Sequence, residues 1–233
     1  MQLSLPPRFS FADFKRAAPI DQSTVWQVLM ERNAERVPVK RQAVAQENLR
    51  KIVESTFRLA NKAGFGAMTL RELSREAGLS MGGLYGYITS KDDLASMMED
   101  MIRFVAAEIP AWFESHGNAR ERLDATLRAH VFQSELLHPW FYFVFMESRT
   151  LSAAQRLVAK GSEMRLHDEL AALIEATGQV EGLQAELIAA HCQAMVQDWH
   201  IKRWKFKQLK TSVDQFADSI SDFVRAGLTR RAR

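Results

Sequence analysis

The stretch TLRELSREAGLSMGGLYGYITSKDDL, from Thr69 to Leu94, decides the fold of this chain. It predicts a short helix that begins after Thr69, a turn at Gly78, and a second short helix from about Met81 to Tyr87. Glycine suits the turn because it adopts backbone conformations that a residue with a Cβ resists. Two short helices joined in this way form a helix-turn-helix, and the second helix is then free to enter a DNA major groove.

The rest of the sequence also predicts helices, because apolar residues recur at helical spacing and sustained period-2 runs are absent. Residues 1–20 are expected to form an extended arm, and residues 21–36 a helix that buries a stripe around Trp26. The other expected helices span about 42–63, 90–109, 118–137, 139–148, 152–176, 183–206 and 212–228. The predicted fold class is therefore all-α.

Composition limits the classes of function. The chain has 233 residues, 47% of them apolar, and no apolar run of the length that spans a membrane. Its one cysteine, Cys192, excludes an internal disulfide and suits the cytoplasm. No Cys/His cluster has zinc spacing, so no metal site is expected. No other cofactor is expected either. The segment from Pro38 to Lys91 has nine Lys/Arg and four Glu, an excess greater than the +3 of the whole chain, which favours a polyanion partner.

Three blocks extend the helix-turn-helix into a family resemblance. They are IVESTFRLANKAGF, TLRELSREAGLS and GLYGYITSKDDL, and in this order and spacing residues 50–94 resemble the DNA-binding domain of the tetracycline-repressor (TetR) family. The resemblance implies an N-terminal three-helix helix-turn-helix domain plus a larger C-terminal helical domain for ligand binding and dimerisation. The expected boundaries are an N-terminal extension at 1–41, the DNA-binding domain at 42–104 and the effector domain at 105–233. Without this resemblance, a generic pair of short helices is an equally good interpretation.

The resemblance also implies roles for particular residues. Phosphate contacts are expected from Thr69 and Lys91, and groove or backbone contacts from Ser80, Met81, Gly82, Gly83, Tyr85, Gly86 and Tyr87. The sequence departs from the family pattern at Gly86, where a large polar residue is usual, and at Ile88, where Phe is usual. Three glycines in this short helix should each weaken it by about 1 kcal/mol relative to alanine. We therefore expect close backbone approach, Met81, Tyr87 and thymine methyl groups to contribute to base recognition.

Two basic segments outside this domain have alternative interpretations. The lead-in that includes Lys40 and Arg41 is either an arm that reaches the minor groove or phosphates, or a solvated leader. For the Trp26 stripe, docking on the body of the protein is favoured over a membrane contact. The run HIKRWKFKQLK at 200–210 alternates basic and aromatic residues, and a solvated helix end with anchoring aromatics is favoured over nucleic-acid binding.

The last two helices are expected to form a homodimer interface, as the resemblance implies, with residues Leu187, Val213, Phe216, Ile220, Phe223 and Val224. The alternative is that their apolar stripes only contribute to the monomer core. A two-fold dimer matches a palindromic double-stranded DNA operator, since one short helix contacts too few bases.

An effector pocket is expected among bulky apolar residues that carry a few polar groups. The candidates are Trp112, Phe113, His130, Gln133, Trp140, Phe141, Phe145, Arg149, His191 and Met195. The effector is expected to be a small, largely apolar molecule, with a fatty acyl-CoA, a drug or a quinone as alternatives. The expected outcome is a repressor that ligand releases from DNA. An enzyme and a helical adaptor without a DNA role are the competing classes, and no phosphate loop, metal site or nucleophile elbow supports the first.

Overall fold

The computed structural model describes residues 2–6, 8–35, 42–147 and 152–229. All regular structure in these residues is helical, which confirms the predicted fold class. In chain order the helices are α1 Phe11–Ala17, α2 Val25–Arg32, α3 Gln42–Ala63, α4 Leu70–Glu76, α5 Met81–Tyr85, α6 Lys91–Ala111, α7 Ala119–Leu136, α8 His138–Glu147, α9 Ala153–Glu175, α10 Leu183–Ile201, α11 Arg203–Gln208 and α12 Val213–Thr229. No helix of the described residues is long and apolar enough to cross a membrane.

The chain divides into two compact units. The smaller unit comprises Ile20–Arg103 and Pro139–Ala159, and the larger unit comprises Met1–Pro19, Phe104–His138 and Lys160–Arg233. This differs from the predicted domains in two respects. The N-terminal extension is not a body of its own, and residues 139–159 belong with the helix-turn-helix rather than with the C-terminal helices.

The N-terminal segment, residues 2–6 and 8–19, packs into the larger unit. Phe9 and Phe14 are fully buried, and the ring centroid of Phe9 lies 5.7 Å from that of Phe113. The guanidinium of the buried Arg128 donates to the Phe9 carbonyl oxygen at 3.0 Å. The prediction of an extended arm over residues 1–20 was therefore wrong. Burying a phenylalanine side chain stabilises by about 1.5–3 kcal/mol, which favours docking over a solvated segment.

Helix α2 docks within the smaller unit, as the favoured interpretation of the Trp26 stripe predicted. It is shorter than the predicted 21–36 and buries Val25, Trp26, Leu29 and Met30. The Trp26 ring centroid lies 5.4 Å from that of Trp140. The stripe is thus core, which leaves no apolar face on α2 for a membrane.

The predicted helix over 183–206 was wrong, because α10 ends at Ile201 and the separate α11 follows Lys202. The break lets Phe206 turn back, so that its ring centroid lies 5.0 Å from that of Trp199 and 4.7 Å from that of Phe216. Trp204 stays exposed. The basic and aromatic run is therefore a helix end with anchoring aromatics.

Candidate nucleic-acid interface

The helix-turn-helix is held together by a small apolar core within the smaller unit. Leu73, Ala77 and Leu84 are buried, and they fix α4 and α5 against each other. Gly78 has φ +67°, the left-handed region in which the predicted turn needs glycine. The Ser74 hydroxyl donates to the Leu79 carbonyl at 2.6 Å and closes the turn.

Helix α5 presents backbone rather than side chains. Its N-cap residue is Ser80, whose hydroxyl accepts from the Gly83 N–H at 3.0 Å. A Cβ at Gly82 would meet nothing within 4 Å, so this helical glycine borders open space. The helix ends at Tyr85 instead of Tyr87, which fits the low helix propensity of its glycines. A DNA backbone or base edge can approach this surface more closely than it can approach a helix with side chains.

Tyr85 and Tyr87 differ in how they are held. The side chain of Tyr85 is exposed, and 52% of its surface is accessible. The phenol oxygen of Tyr87 accepts from the Asn48 side-chain amide at 2.9 Å, so α3 fixes its orientation. The phenol proton remains free to be donated to a phosphate. Sequence reasoning missed Asn48, because a partner 39 residues away leaves no local signal.

Thr69 caps α4 through the predicted capping box with Glu72. The Thr69 hydroxyl and backbone N–H both donate to one oxygen of the Glu72 carboxylate, at 2.8 and 2.9 Å. These bonds lower the pKa of Glu72, with the Thr69 backbone N–H as the largest cause. Both Thr69 donors that a phosphate was expected to use are thus already engaged by a carboxylate. A phosphate can bind these donors only if the Glu72 carboxylate releases them.

Lys91 is also engaged within the smaller unit. Its ammonium donates to the Gly66 carbonyl at 2.7 Å and lies 5.1 Å from the centroid of the Phe65 ring. Burial lowers the pKa of Lys91. Lys91 therefore connects the start of α6 to the turn before α4. A phosphate that contacts Lys91 must share the ammonium with the Gly66 carbonyl. Lys40 and Arg41 lie outside the described residues.

Two arginines of α4 were not singled out from the sequence. Arg71 and Arg75 are exposed, whereas Arg58 pairs with Glu76 at 2.8 Å. In helix-turn-helix proteins the first helix crosses the DNA backbone. Arg71 and Arg75 are therefore the exposed cations of α4 nearest to the expected path of the phosphates.

The predicted pocket residues do not form one group. Trp112, Phe113, His130 and Gln133 are buried in the larger unit, where the rings of Phe9 and Phe14 fill the space beside the first two. His191 is exposed on α10, and Met195 is partly buried against the core. Trp140, Phe141 and Phe145 belong to the smaller unit, and Trp140 is a core residue there. Arg149 lies outside the described residues.

The larger unit nevertheless contains a cavity of about 510 Å³, which is open to solvent where its lining residues Glu114, Glu169 and Ala172 are exposed. It is lined by residues of α6, α7 and α9 and of the turn after α6, namely Pro110, Glu114, Arg122, Glu169, Ala172 and Leu173. Burial raises the pKa of Glu169. This cavity differs from the predicted aromatic pocket and has one cationic and two acidic side chains in its wall.

The predicted dimer stripe splits into two sets. Phe216, Ile220 and Val224 are buried in the monomer core, so their assignment to the interface was wrong. Leu187 and Phe223 remain exposed, at 52% and 57% of their surface, and Val213 is partly buried. Helical periodicity identifies an apolar face, but it does not tell whether the same chain or a partner covers that face.

The described residues offer no support for the enzyme interpretation. No group of His, Cys, Asp or Glu in the described ranges stands close enough to hold a metal ion. Cys192 is buried, and burial raises the pKa of its thiol to about 12. A thiol with that pKa is not a nucleophile at neutral pH.

An exposed, capped second helix on a small three-helix core defines a helix-turn-helix protein of the DNA-binding type. Residues 52–98 match the model of the bacterial regulatory proteins of the tetR family. The regulator HbdR of Aromatoleum sp. (strain CIB), described as an HTH-type transcriptional regulator, is 23% identical over 189 residues, which are 79% of each chain. Residues 52–98 are therefore a DNA-binding domain of the tetR type, and the chain is similar over most of its length to HTH-type transcriptional regulators.

Solved structures share the fold. AibR in complex with isovaleryl coenzyme A and operator DNA has a TM-score of 0.64 and 19% identity, over 76% of this chain and 97% of AibR. FadR from Bacillus subtilis in complex with stearoyl-CoA has a TM-score of 0.61 and 16% identity, over 76% of this chain and 97% of FadR. About a quarter of this chain has no counterpart in either structure.

Proposed function

We propose that the protein is a cytoplasmic, dimeric repressor that binds a palindromic operator through α4 and α5. The observation that carries this proposal is the exposed, glycine-rich start of α5, capped by Ser80 and set on a rigid apolar core. Such a surface lets the backbone of the second helix approach the floor of the major groove. Arg71 and Arg75 supply phosphate contacts, which give affinity and register rather than sequence choice.

Base recognition is proposed to use Met81, Tyr87 and the bare backbone at Gly82. The remaining predicted contacts are Ser80, Gly83, Tyr85 and Gly86, with phosphate contacts at Thr69, Lys91, Lys40 and Arg41. Apolar contact with a thymine methyl group is one established mode of direct recognition. The described part of α5 has no side chain that forms a bidentate contact with guanine, so we expect an operator rich in A·T pairs at the centre of each half-site.

The dimer is proposed to form through the exposed apolar face of α10 and α12. Leu183, Leu187 and Phe223 are large and exposed, and Ala190 and Ala194 on α10 leave room for a close crossing. A two-fold axis through this face presents two copies of α5 to half-sites about 34 Å apart.

The effector is proposed to bind in the larger unit and to release the operator. Support comes from the cavity of about 510 Å³ and from two neighbours of the same fold, whose structures hold isovaleryl coenzyme A and stearoyl-CoA. We therefore propose an acyl-CoA or a similar amphipathic metabolite. Helix α6 runs from the helix-turn-helix into the larger unit and contains Pro110, so ligand binding is expected to act through a movement of this helix about residues 107–112.

The experiment is a mobility-shift titration of the DNA upstream of the protein's own gene, with and without stearoyl-CoA and isovaleryl-CoA. We expect a specific complex that at least one of the two ligands dissociates. A complex unaffected by either ligand refutes the proposed effector class but leaves the DNA-binding function standing. The absence of a specific complex refutes the DNA-binding proposal for this operator region.

A further inference from the structure

One face of α7 buries polar atoms that have no partner in the described residues. The Thr126 hydroxyl oxygen and His130 Nε2 are both fully enclosed and make no hydrogen bond. The other buried hydroxyls among the described residues are satisfied. Thr56 donates to the Ile52 carbonyl at 2.8 Å and Ser134 donates to the Val131 carbonyl at 2.8 Å. An unsatisfied buried polar group destabilises a fold. Two such groups on one helix face therefore indicate a hydrogen-bond partner that binds there.

The two groups lie on the same face of α7 as Arg122, a residue of the cavity wall in the larger unit. Arg122, Thr126 and His130 follow each other at intervals of four residues, so they share one face of α7. Arg122 is part of the cavity wall together with Glu114 and Glu169. One and two turns beyond Arg122 on this face, the side chains are buried in the core, and they are the two unpartnered ones.

The chemistry of this face favours a neutral ligand group. Burial lowers the pKa of His130 to about 4, so its imidazole is neutral at pH 7. The nearest buried cation, Arg128, is two residues from both Thr126 and His130 and therefore points to the opposite side of the helix. On that side, the Arg128 guanidinium donates to the Phe9 carbonyl and to the Asp218 carboxylate. The carboxylate neutralises the charge of the guanidinium. Arg122, on the same face as Thr126 and His130, is directed to the start of the helix, where its guanidinium donates to the Gly117 carbonyl at 3.2 Å. An anion facing Thr126 and His130 would therefore be buried without a counter-charge beside it.

The spacing of the two groups suits a single acceptor atom. Side chains four residues apart on a helix have Cβ atoms about 5–6 Å apart, which one oxygen bridges with two hydrogen bonds of ordinary length. We infer that the Thr126–His130 face of α7 binds a neutral carbonyl oxygen on an apolar body, such as a ketone, ester, thioester or amide. The Thr126 hydroxyl and the His130 Nε2–H both donate to this oxygen. This inference rests on the proposed effector-binding role of the larger unit and specifies the chemistry of its ligand.

The first test needs no ligand. Thr126→Val keeps the shape of the side chain and removes the unpartnered hydroxyl, so the free protein should melt about 2–4 °C higher. The matched control is Ser134→Ala, on the same helix, which removes a satisfied hydroxyl and should lower Tm by a similar amount. A lower Tm for Thr126→Val overturns the inference, because the hydroxyl then has a partner within the protein.

The second test compares 2-decanone with 2-methyl-1-decene, in which a methylene group replaces the carbonyl oxygen at the same position. Binding is measured by calorimetry or by tryptophan fluorescence. The ketone should bind the wild-type protein at least 10-fold more tightly than the alkene. Thr126→Val and His130→Leu should each weaken ketone binding about 5–10-fold and leave alkene binding within 2-fold.

Equal affinities for ketone and alkene overturn the inference, and a water molecule that bridges Thr126 and His130 would produce this result. Failure of the ketone to bind also overturns it. Operator binding by the same proteins separates the two proposals. If the ketone result fails while the wild-type protein still binds its operator, only the carbonyl site is wrong. If operator binding fails while the ketone is preferred, the proposed repressor function is wrong.

Discussion

Phe9→Ala tests whether the N-terminal segment is part of the core of the larger unit. Phe9 is 1% exposed, and its ring centroid lies 5.7 Å from Phe113, 5.8 Å from Phe132 and 6.1 Å from Phe14. Truncation of a buried phenylalanine to alanine destabilises by about 3–5 kcal/mol, through lost burial and through the cavity left behind. That is a large share of the 5–15 kcal/mol that stabilises a typical protein.

The expected outcome is a fall in Tm of about 10 °C, since 1 kcal/mol corresponds to about 2–4 °C in a protein of roughly this size. The assay is thermal unfolding followed by circular dichroism and by tryptophan fluorescence, to which the neighbouring Trp112 contributes. Leu209→Ala is the control, because Leu209 is 65% exposed and belongs to the same unit. Its Tm should stay within 1 °C of the wild-type value.

A Tm for Phe9→Ala that equals the control value would refute this account. It would mean that the segment is not docked and is free to act as an arm on DNA.

Three further predictions concern DNA recognition and pH. Gly82→Ala should raise the free energy of unfolding by up to about 1 kcal/mol. In an anisotropy titration it should weaken operator binding at least 10-fold. The control is Gly161→Ala, at a helical glycine that also borders open space, and it should bind the operator as the wild-type protein does. Tyr87→Phe, which removes the oxygen held by Asn48, should weaken operator binding about 3–10-fold with little change in Tm, and unchanged affinity would exclude a contact from the phenol. Burial lowers the pKa of His130 from 6.5 to about 4. Because the unfolded chain then binds the proton more readily than the folded one, the free energy of unfolding should fall by about 3 kcal/mol as the pH drops from 6.5 to 4. In urea titrations, His130→Leu should remove this part of the pH dependence and leave the part due to His200, whose pKa burial also lowers to about 4. An unaltered slope would contradict the assignment.

The parts of the fold that the sequence predicted well are those with local causes. The predicted bounds of α3 are those of the structure, and the capping box of Thr69 and Glu72 is present. Apolar periodicity, caps and turn glycines each act within a few residues, so they can be recognised in one sequence. The helix-turn-helix consists almost entirely of such features.

The parts that could not be predicted depend on distant contacts. Phe9 packs against Phe113, and Tyr87 pairs with Asn48; neither contact has a local sequence signal. The same holds for the predicted dimer stripe. Helical periodicity predicts Phe216 and Phe223 equally well as interface residues, but only Phe223 remains exposed. The predicted pocket residues divide between the two units for a related reason, because aromatic residues indicate burial without indicating which neighbours fill the space around them.

The central claim is that the exposed start of α5 recognises a specific DNA sequence. The most direct measurement is fluorescence anisotropy on a duplex from the upstream region of the protein's own gene, compared with a scrambled duplex of equal composition at the same salt concentration. The account predicts at least about 10³-fold tighter binding to the upstream duplex, the difference typical of specific recognition. Gly82→Ala is expected to reduce this difference at least 10-fold, whereas Gly161→Ala should retain it. Equal affinity of the wild-type protein for both duplexes would contradict the account.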